Sequence, residues 1–367
     1  MFLAVRELKH AKLRYMLIGF IMILVAWLTF IVSGLANGLA ADNASAIENM
    51  KGDYVVLQDN AEQKLARSSI PNEKLDEVRR HEGVKEAFPL SQTMMTLSQT
   101  GKDKKIDVTI FGVESKSMIM PDVSEGKLIE KLGENEVIAD ASLKGDGVVI
   151  GDTLENKDTG ASMTIVGFAE GQMFSHMPVL YTDIESWNQM VQSTGRQQKP
   201  SYSAIIVSGN EDVSISLEKK LSHIEVLTKE EVIKNIPGYK EEQGSLTMMI
   251  SFLIVIAAFV QAVFFYVITL QKTNQFGVLK AIGAKTSYLA KNLIGQVLIL
   301  AAAAIGVSIA LTFSVSALFP EGMPFELGTD TLVKYSALLI GVAVIGALLS
   351  LQRIAKIDAI EAIGRVE

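Results

Sequence analysis

The chain has 367 residues, 49% of them hydrophobic, with 34 basic and 41 acidic side chains, a formal charge of −7 and no cysteine. A soluble chain of this length would split into two domains, but here the apolar residues collect in long uncharged runs, which excludes an ordinary soluble protein. The missing cysteine excludes a disulfide framework, so any domain outside the membrane folds on its own core, as suits a bacterial protein.

Residues 1–14 are read as a cytoplasmic amphipathic helix. Phe2, Leu3, Val5, Leu8 and Leu13 alternate with Arg6, Lys9, Lys12 and Arg14. Such a segment lies on anionic lipid, at about 1 kcal/mol per charge, or docks on a cytoplasmic partner. Residues 15–41 carry no charge and form the first span; the run is too long for the core of a cleaved signal peptide. Residues 42–242 form the outer domain, with 22 basic and 34 acidic residues. Residues 243–271 and 292–320 are the second and third spans, and 335–352 the shorter fourth. A bilayer core needs about 20 apolar residues as helix. The fold class is therefore membrane α-helical, four transmembrane helices with a large extracytoplasmic α+β domain between the first and second.

Orientation follows from Lys and Arg beside the spans. Four precede the first span. Lys272, Lys280, Lys285 and Lys291 lie in the 272–291 connection, which has no acid, whereas the short 321–334 connection holds Glu321, Glu326, Asp330 and Lys334. Both termini and the basic loop face the cytoplasm, including the tail 353–367, and the acidic domain faces outward.

Within the outer domain, Glu73–His81, Asp183–Gln192 and Val213–Leu221 read as helices and Asp107–Val113 as an alternating strand. Residues 136–139, 148–150, 163–167, 178–181 and 204–207 are short strands bounded by turn residues. There is no nucleophile elbow or metal-spaced histidine pair, and the chain has only four histidines. From Lys229 the chain is helical toward the membrane, interrupted at Ile236-Pro-Gly-Tyr239, and leads into the second span as a stalk or a plain loop.

Gly283-Ala-Lys285-Thr286 looks like part of a phosphate-binding loop. That motif needs G-x-x-x-x-G-K-[ST] between a strand and a helix. Here the spacing is wrong, and a membrane helix precedes it. The stretch is instead an amphipathic connector, with bulk from Phe276, Leu279, Ala281, Ile282 and Tyr288, charge from the lysines, and glycines at 277 and 283 that permit tight turns.

The pattern Phe276-Gly-Val-Leu-Lys-Ala-Ile-Gly-Ala284 resembles the signature of MacB/FtsX-type permeases, the four-span subunits of type VII ABC transporters. The tail Arg353-Ile-Ala-Lys-Ile-Asp358-Ala-Ile-Glu-Ala is similar to theirs, with Ala359 in place of the usual proline. The resemblance covers the whole chain. Met1-Phe-Leu-Ala-Val-Arg-Glu-Leu-Lys-His10, Ser33-Gly-Leu-Ala-Asn-Gly-Leu39, Asn43–Glu48 and Ile236–Tyr239 are similar to haem-exporter permeases of the HrtB type in Gram-positive bacteria.

This resemblance implies a homodimer with two copies of a separate ABC ATPase, which binds ATP and Mg. The chain itself would have no ATPase activity. Phe276, Gly277, Leu279, Lys280, Ile282, Gly283 and Lys285 would be gripped by the ATPase, with added contacts from the first 14 residues and the tail. Haem would be expelled from the outer leaflet of the plasma membrane by mechanotransmission, as detoxification. The same architecture in other members moves peptides, antibiotics or lipids, which stands as the alternative.

Two candidate sites for haem remain beside this. Gly34, Asn37, Gly38, Ala41, Ser45 and Glu48 recur every three or four residues and share one face if the first span continues outward as helix. Such a stripe makes a shallow groove for a flat ring, or a packing surface for another helix. Glu48 would lie just beyond the hydrocarbon, with Met248 and Met249 at similar depth; Glu48 or Met249 is the candidate haem-iron ligand, and Glu48 is alternatively a solvated acid. Met173, His176 and Met177 offer thioether and imidazole, or a core loop with an ordinary histidine.

Overall fold

The computed structural model describes residues 12–126, 132–193, 201–320 and 322–355. Most of the expected surface helix and the end of the tail lie outside them. The chain forms two compact units, Leu39–Gln243 and the combination of Met1–Gly38 with Gly244–Glu367.

Helix α1 is unbroken over Lys12–Glu48. At 1.5 Å per residue its 37 residues span roughly 55 Å, well beyond the ~30 Å hydrocarbon core, so its last turns leave the bilayer. The outward continuation expected from the small-residue stripe is present.

In chain order, the second unit then holds β1 (Tyr54–Gln58), β2 (Ile70–Pro71), α2 (Glu73–Arg79), β3 (Val84–Gln99), β4 (Lys105–Val113), β5 (Val123–Gly126), β6 (Glu136–Asp140), β7 (Thr153–Glu155), β8 (Ser162–Ala169), β9 (Met173–Phe174), β10 (Met177–Asp183), α3 (Ile184–Ser193), β11 (Ser201–Tyr202), β12 (Ala204–Gly209), α4 (Val213–Lys220), β13 (Ile224–Thr228) and α5 (Lys229–Lys234). The main sheet runs β13-β1-β12-β3-β4-β10-β6-β8-β5. Among the described residues, only the β4–β10 and β6–β8 pairs are parallel. β7 pairs with both β3 and β8. The pairings β3-β4-β10-β6-β8-β7 therefore close into a ring. Inside it lie Leu97, Ile106, Val108, Ile110, Val137, Ile165, Phe168 and Leu180, with Trp187 of α3 packed against them.

The remaining strands form a wall whose faces alternate, as the two-residue period of a strand requires. Val56, Ile205, Val207 and Val226 face Leu75 and Val78 of α2 and Val213 and Leu217 of α4. Val55, Leu57, Ala204, Ile206 and Leu227 face the other way. On that side the end of α1 supplies Ala44, Ala46 and Ile47, and α5 supplies Val232, all buried. The tip of the first helix is thus part of the main core of this unit. α5 starts with a full capping box between Thr228 and Glu231. Its hydrogen bonds from the Thr228 backbone and hydroxyl hold the Glu231 carboxyl below its ordinary pKa.

One strand expectation fails. Val148–Ile150 is irregular, because a 3-10 turn over Ala141–Asp146 ends on Gly147 at φ 76° and only Val148 turns inward. The other expected strands and helices are present within a few residues.

The first unit completes the architecture with α6 (Tyr239–Gln271), α7 (Thr273–Ala281), α8 (Thr286–Ser316) and α9 (Thr329–Ala355). α1, α6, α8 and α9 are long and apolar enough to cross a membrane. The helices overrun the charge-free windows: α6 begins at Tyr239, α8 at Thr286, and α9 at Thr329 rather than Tyr335. Lysines at span ends can stretch to the interface, so a charge does not end a helix there. Tyr15, Ile18, Met22, Phe265, Ile268, Val297, Ala301, Ala343 and Ala347 form the bundle's inner core. Hydroxyls within it return to helix carbonyls: Thr29 donates to Val25 O at 2.8 Å and Ser308 to both Ala304 O and Ile23 O, at 2.7 and 2.9 Å.

Candidate functional site

The lysine-lined connection folds as α7 and a turn. Phe276 is 3% exposed against Leu289 and Leu293 of α8, and Leu279 packs beside it. Ile282, by contrast, is 77% exposed and Val278 51%. The helix stops on Gly283 at φ 96°, where Gly283 N donates to Lys280 O and Ala284 N to Leu279 O, each at 2.9 Å. This is the paired bond pattern of a Schellman stop. Lys285 is extended and precedes the first turn of α8. The apparent phosphate loop is a helix-to-helix turn. The connector reading holds for Gly283, but not for Gly277, which is buried inside α7 and makes no turn. Phe276 anchors the segment to the bundle; Ile282, Val278 and Lys285 form its exposed side.

At the base of α6 stands a cluster that the motif reading passed over. Lys272 is buried, with Nζ 2.9 Å from Tyr15 Oη and 3.4 Å from Gln296 Oε1. Tyr15 Oη donates to Gln296 Oε1 at 2.8 Å. Three helices, α1, α6 and α8, meet there one residue before α7. In the sequence Lys272 is one loop lysine among four; its abutting the span with no turn between was the sole hint.

The small-residue stripe divides between the two units. In the first, an added Cβ on Gly38 would fall 2.4 Å from the Pro324 backbone, and one on Gly34 would fall 2.3 Å from the Phe325 ring. Glu326 N donates to Gly34 O at 2.9 Å, and Asn37 Nδ2 donates to Thr331 Oγ1 at 2.7 Å. The groove expected at Gly34, Asn37 and Gly38 is thus filled by the α8–α9 connection, because small side chains let backbone approach closely. In the second unit Ala41 is half-buried, and Ser45 is buried with Oγ accepting from Met173 N at 3.0 Å. Glu48 is exposed. Met248 and Met249, on α6 in the first unit, are 56% and 42% exposed.

His176 is no free ligand. Its Nδ1 lies 3.0 Å from Asp42 Oδ2 and its Nε2 3.4 Å from Glu242 Oε2. Met173 and Met177 are half-buried in β9 and β10. Among the described residues no cluster of His, Asp and Glu is arranged to hold a metal ion.

The chain is 31% identical over 367 residues to a protein of Staphylococcus haemolyticus named hemin transport system permease protein HrtB, covering 100% of this chain and 99% of that one. The chain belongs to the FtsX-like ABC transporter permeases. An HrtB of Staphylococcus epidermidis is 30% identical over 99% of both chains. Mycobacterium tuberculosis proteins named only ABC transporter permease match at 24–25%, also end to end. The FtsX-like permease C-terminal family pattern covers residues 247–359, which takes in most of α6 together with α7, α8 and α9. In this permease, then, the connector and the buried lysine lie inside the family's shared segment. Among solved structures, the periplasmic region of MacB from Actinobacillus actinomycetemcomitans aligns with a TM-score of 0.38 at 12% identity, over 51% of this chain and 93% of that one. The extracellular domain of the transporter YknZ gives 0.34 at 16%, over 47% and 98%.

Proposed function

We propose that the chain is the membrane subunit of a haem efflux pump, driven by a separate ABC ATPase. The observation that carries this reading is the end-to-end match, at 30–31% identity, to permeases named for hemin transport. In this reading two copies of the chain pair in the plasma membrane of a Gram-positive bacterium, with both termini in the cytoplasm. Two ATPase subunits grip the connector, at Val278, Lys280, Ile282 and Lys285. Phe276 and Leu279 pass the push to α8, and Lys272 passes it to α1 and α6. The chain hydrolyses nothing itself. Helices α1 and α6 carry the motion outward, and haem is released from the outer face without crossing the whole membrane.

Glu48 or Met249 is the candidate iron ligand, with Met248 beside the latter in sequence. Ala41 gives room on the helix face, and Ser45 fixes the helix tip. The exposed carboxylate and thioethers support this assignment, whereas Gly34, Asn37 and Gly38 serve packing.

Haemin titrated into the purified permease–ATPase complex should give a saturable Soret shift. Glu48→Ala or Met249→Ala should weaken it at least about tenfold, equivalent to about 1.4 kcal/mol. A deletion strain should be more sensitive to haemin than its parent. Equal growth on haemin would sink the cargo assignment and favour peptides, antibiotics or lipids as cargo of the same machine.

A further inference from the structure

The turn between β9 and β10 is built in an unusual way. Ser175 and His176 both adopt the left-handed backbone, at φ 53° and 60°, although neither is glycine. A two-residue hairpin loop favours this conformation at both positions, usually with Asn or Gly there, so Ser and His in that role gain from outside support. The surroundings here are the tip of α1. Ser175 N donates to Asn43 O at 2.8 Å and His176 N to Asp42 O at 3.1 Å. Met173 N donates to Ser45 Oγ at 3.0 Å. The turn is thus tied to consecutive residues of the helix by its own main chain.

The His176 ring adds a second helix. Asp42 is on α1 and Glu242 on α6, and the imidazole lies between their carboxylates. The Nδ1 contact is a hydrogen bond, and the longer Nε2 contact keeps the second carboxylate at ion-pair distance. Asn43 Nδ2 reinforces the pair, 3.3 Å from Glu242 Oε2. Beyond the turn, β10 is an inner strand, paired with β4 on one side and β6 on the other. Its base is stiff. Tyr181 donates to Gln172 Oε1 at 2.7 Å, and Asp140 Oδ2 accepts from Gln172 N at 2.6 Å. Burial, and then the Asp140 charge, push the Tyr181 phenol far above its ordinary pKa, so it stays a donor.

We propose that His176 is a positioning residue of the transport cycle: it clasps the outward ends of α1 and α6 to the β9–β10 turn, so that movement of either helix is delivered to β10. This rests on the reading of the chain as a permease driven from the cytoplasm. The clasp needs no ligand, and it uses a histidine whose two nitrogens are already engaged.

The test uses the full permease–ATPase complex and the complemented deletion strain. His176→Gln keeps a polar side chain but cannot hold both carboxylates. It should leave ATP hydrolysis within about twofold of wild type while lowering haemin tolerance several-fold, a split that a folding defect would not produce. Amide exchange in residues 172–178 should quicken, with protection in β3, β4 and β6 unchanged. Glu242→Gln, a milder change, should give the same pattern, and the double variant should be no worse than either single one. Wild-type haemin tolerance in His176→Gln would overturn the proposal. If the wild-type complex exports no haemin, the cargo reading has failed, not the clasp. The clasp is then judged by exchange alone. Residues 172–178 should differ in protection between nucleotide-free and vanadate-trapped wild-type complexes, and the difference should vanish in His176→Gln. No difference in wild type overturns it.

Discussion

At the scale of residues, two glycines four apart on one helix face do different work. A methyl group on Gly34 meets the edge of the Phe325 ring, which can turn aside, whereas one on Gly38 meets the backbone of Pro324 and Phe325. Overpacking of that kind costs about 1–3 kcal/mol. Gly38→Ala should therefore lower the thermal midpoint of the purified complex and open the 317–328 connection to protease. Gly34→Ala should do markedly less. Equal effects would contradict the packing described. The spacing of small residues showed that something lies close to this face. It did not show what, because Phe325 lies five residues beyond the expected end of the third span at 320, in a connection with no periodic pattern, and only the folded connection brings it back. His176 shows the same limit, since Asp42 and Glu242 stand 134 and 66 positions away from it in the chain.

Among elements, the connector α7 ends on Gly283 through backbone geometry rather than through charge. A left-handed residue other than glycine costs roughly 1–2 kcal/mol, with Asn the best tolerated. Gly283→Val should reduce ATP-driven transport while leaving haemin binding intact, and Gly283→Asn should retain most of the transport; transport assays on membrane vesicles from both variants decide it. Long elements were legible. α1, α6 and α8 follow from charge-free runs, and the break at Ile236–Tyr239 falls between α5 and α6 as expected. The long strand β3 was not legible. Its segment Ser91-Gln-Thr-Met-Met-Thr has no clean alternation, and it is a strand because β4 and β12 pair with it on either side. The family signature found the connector, but burial assigned its parts. Phe276 looks like a contact in sequence and is an anchor in the fold.

For the whole molecule, orientation is the property on which the proposed cycle depends, and the lack of cysteine makes it directly measurable. A membrane-impermeant maleimide should label Lys102→Cys, in the outer unit, on intact cells. It should reach Lys285→Cys only after the membrane is opened. Labelling of position 285 from outside would reverse the assignment of both faces. The ring β3-β4-β10-β6-β8-β7 then has a mechanical consequence. A closed hoop of hydrogen-bonded strands cannot dilate without breaking a whole ladder, and its interior is filled with side chains. Under the proposed clasp, load arriving through β10 would therefore not be absorbed as stretch. It would turn the hoop as one piece, and whatever bends lies outside the ring, in the wall β12-β1-β13 that continues from β3 or in the short β5 that pairs with β8.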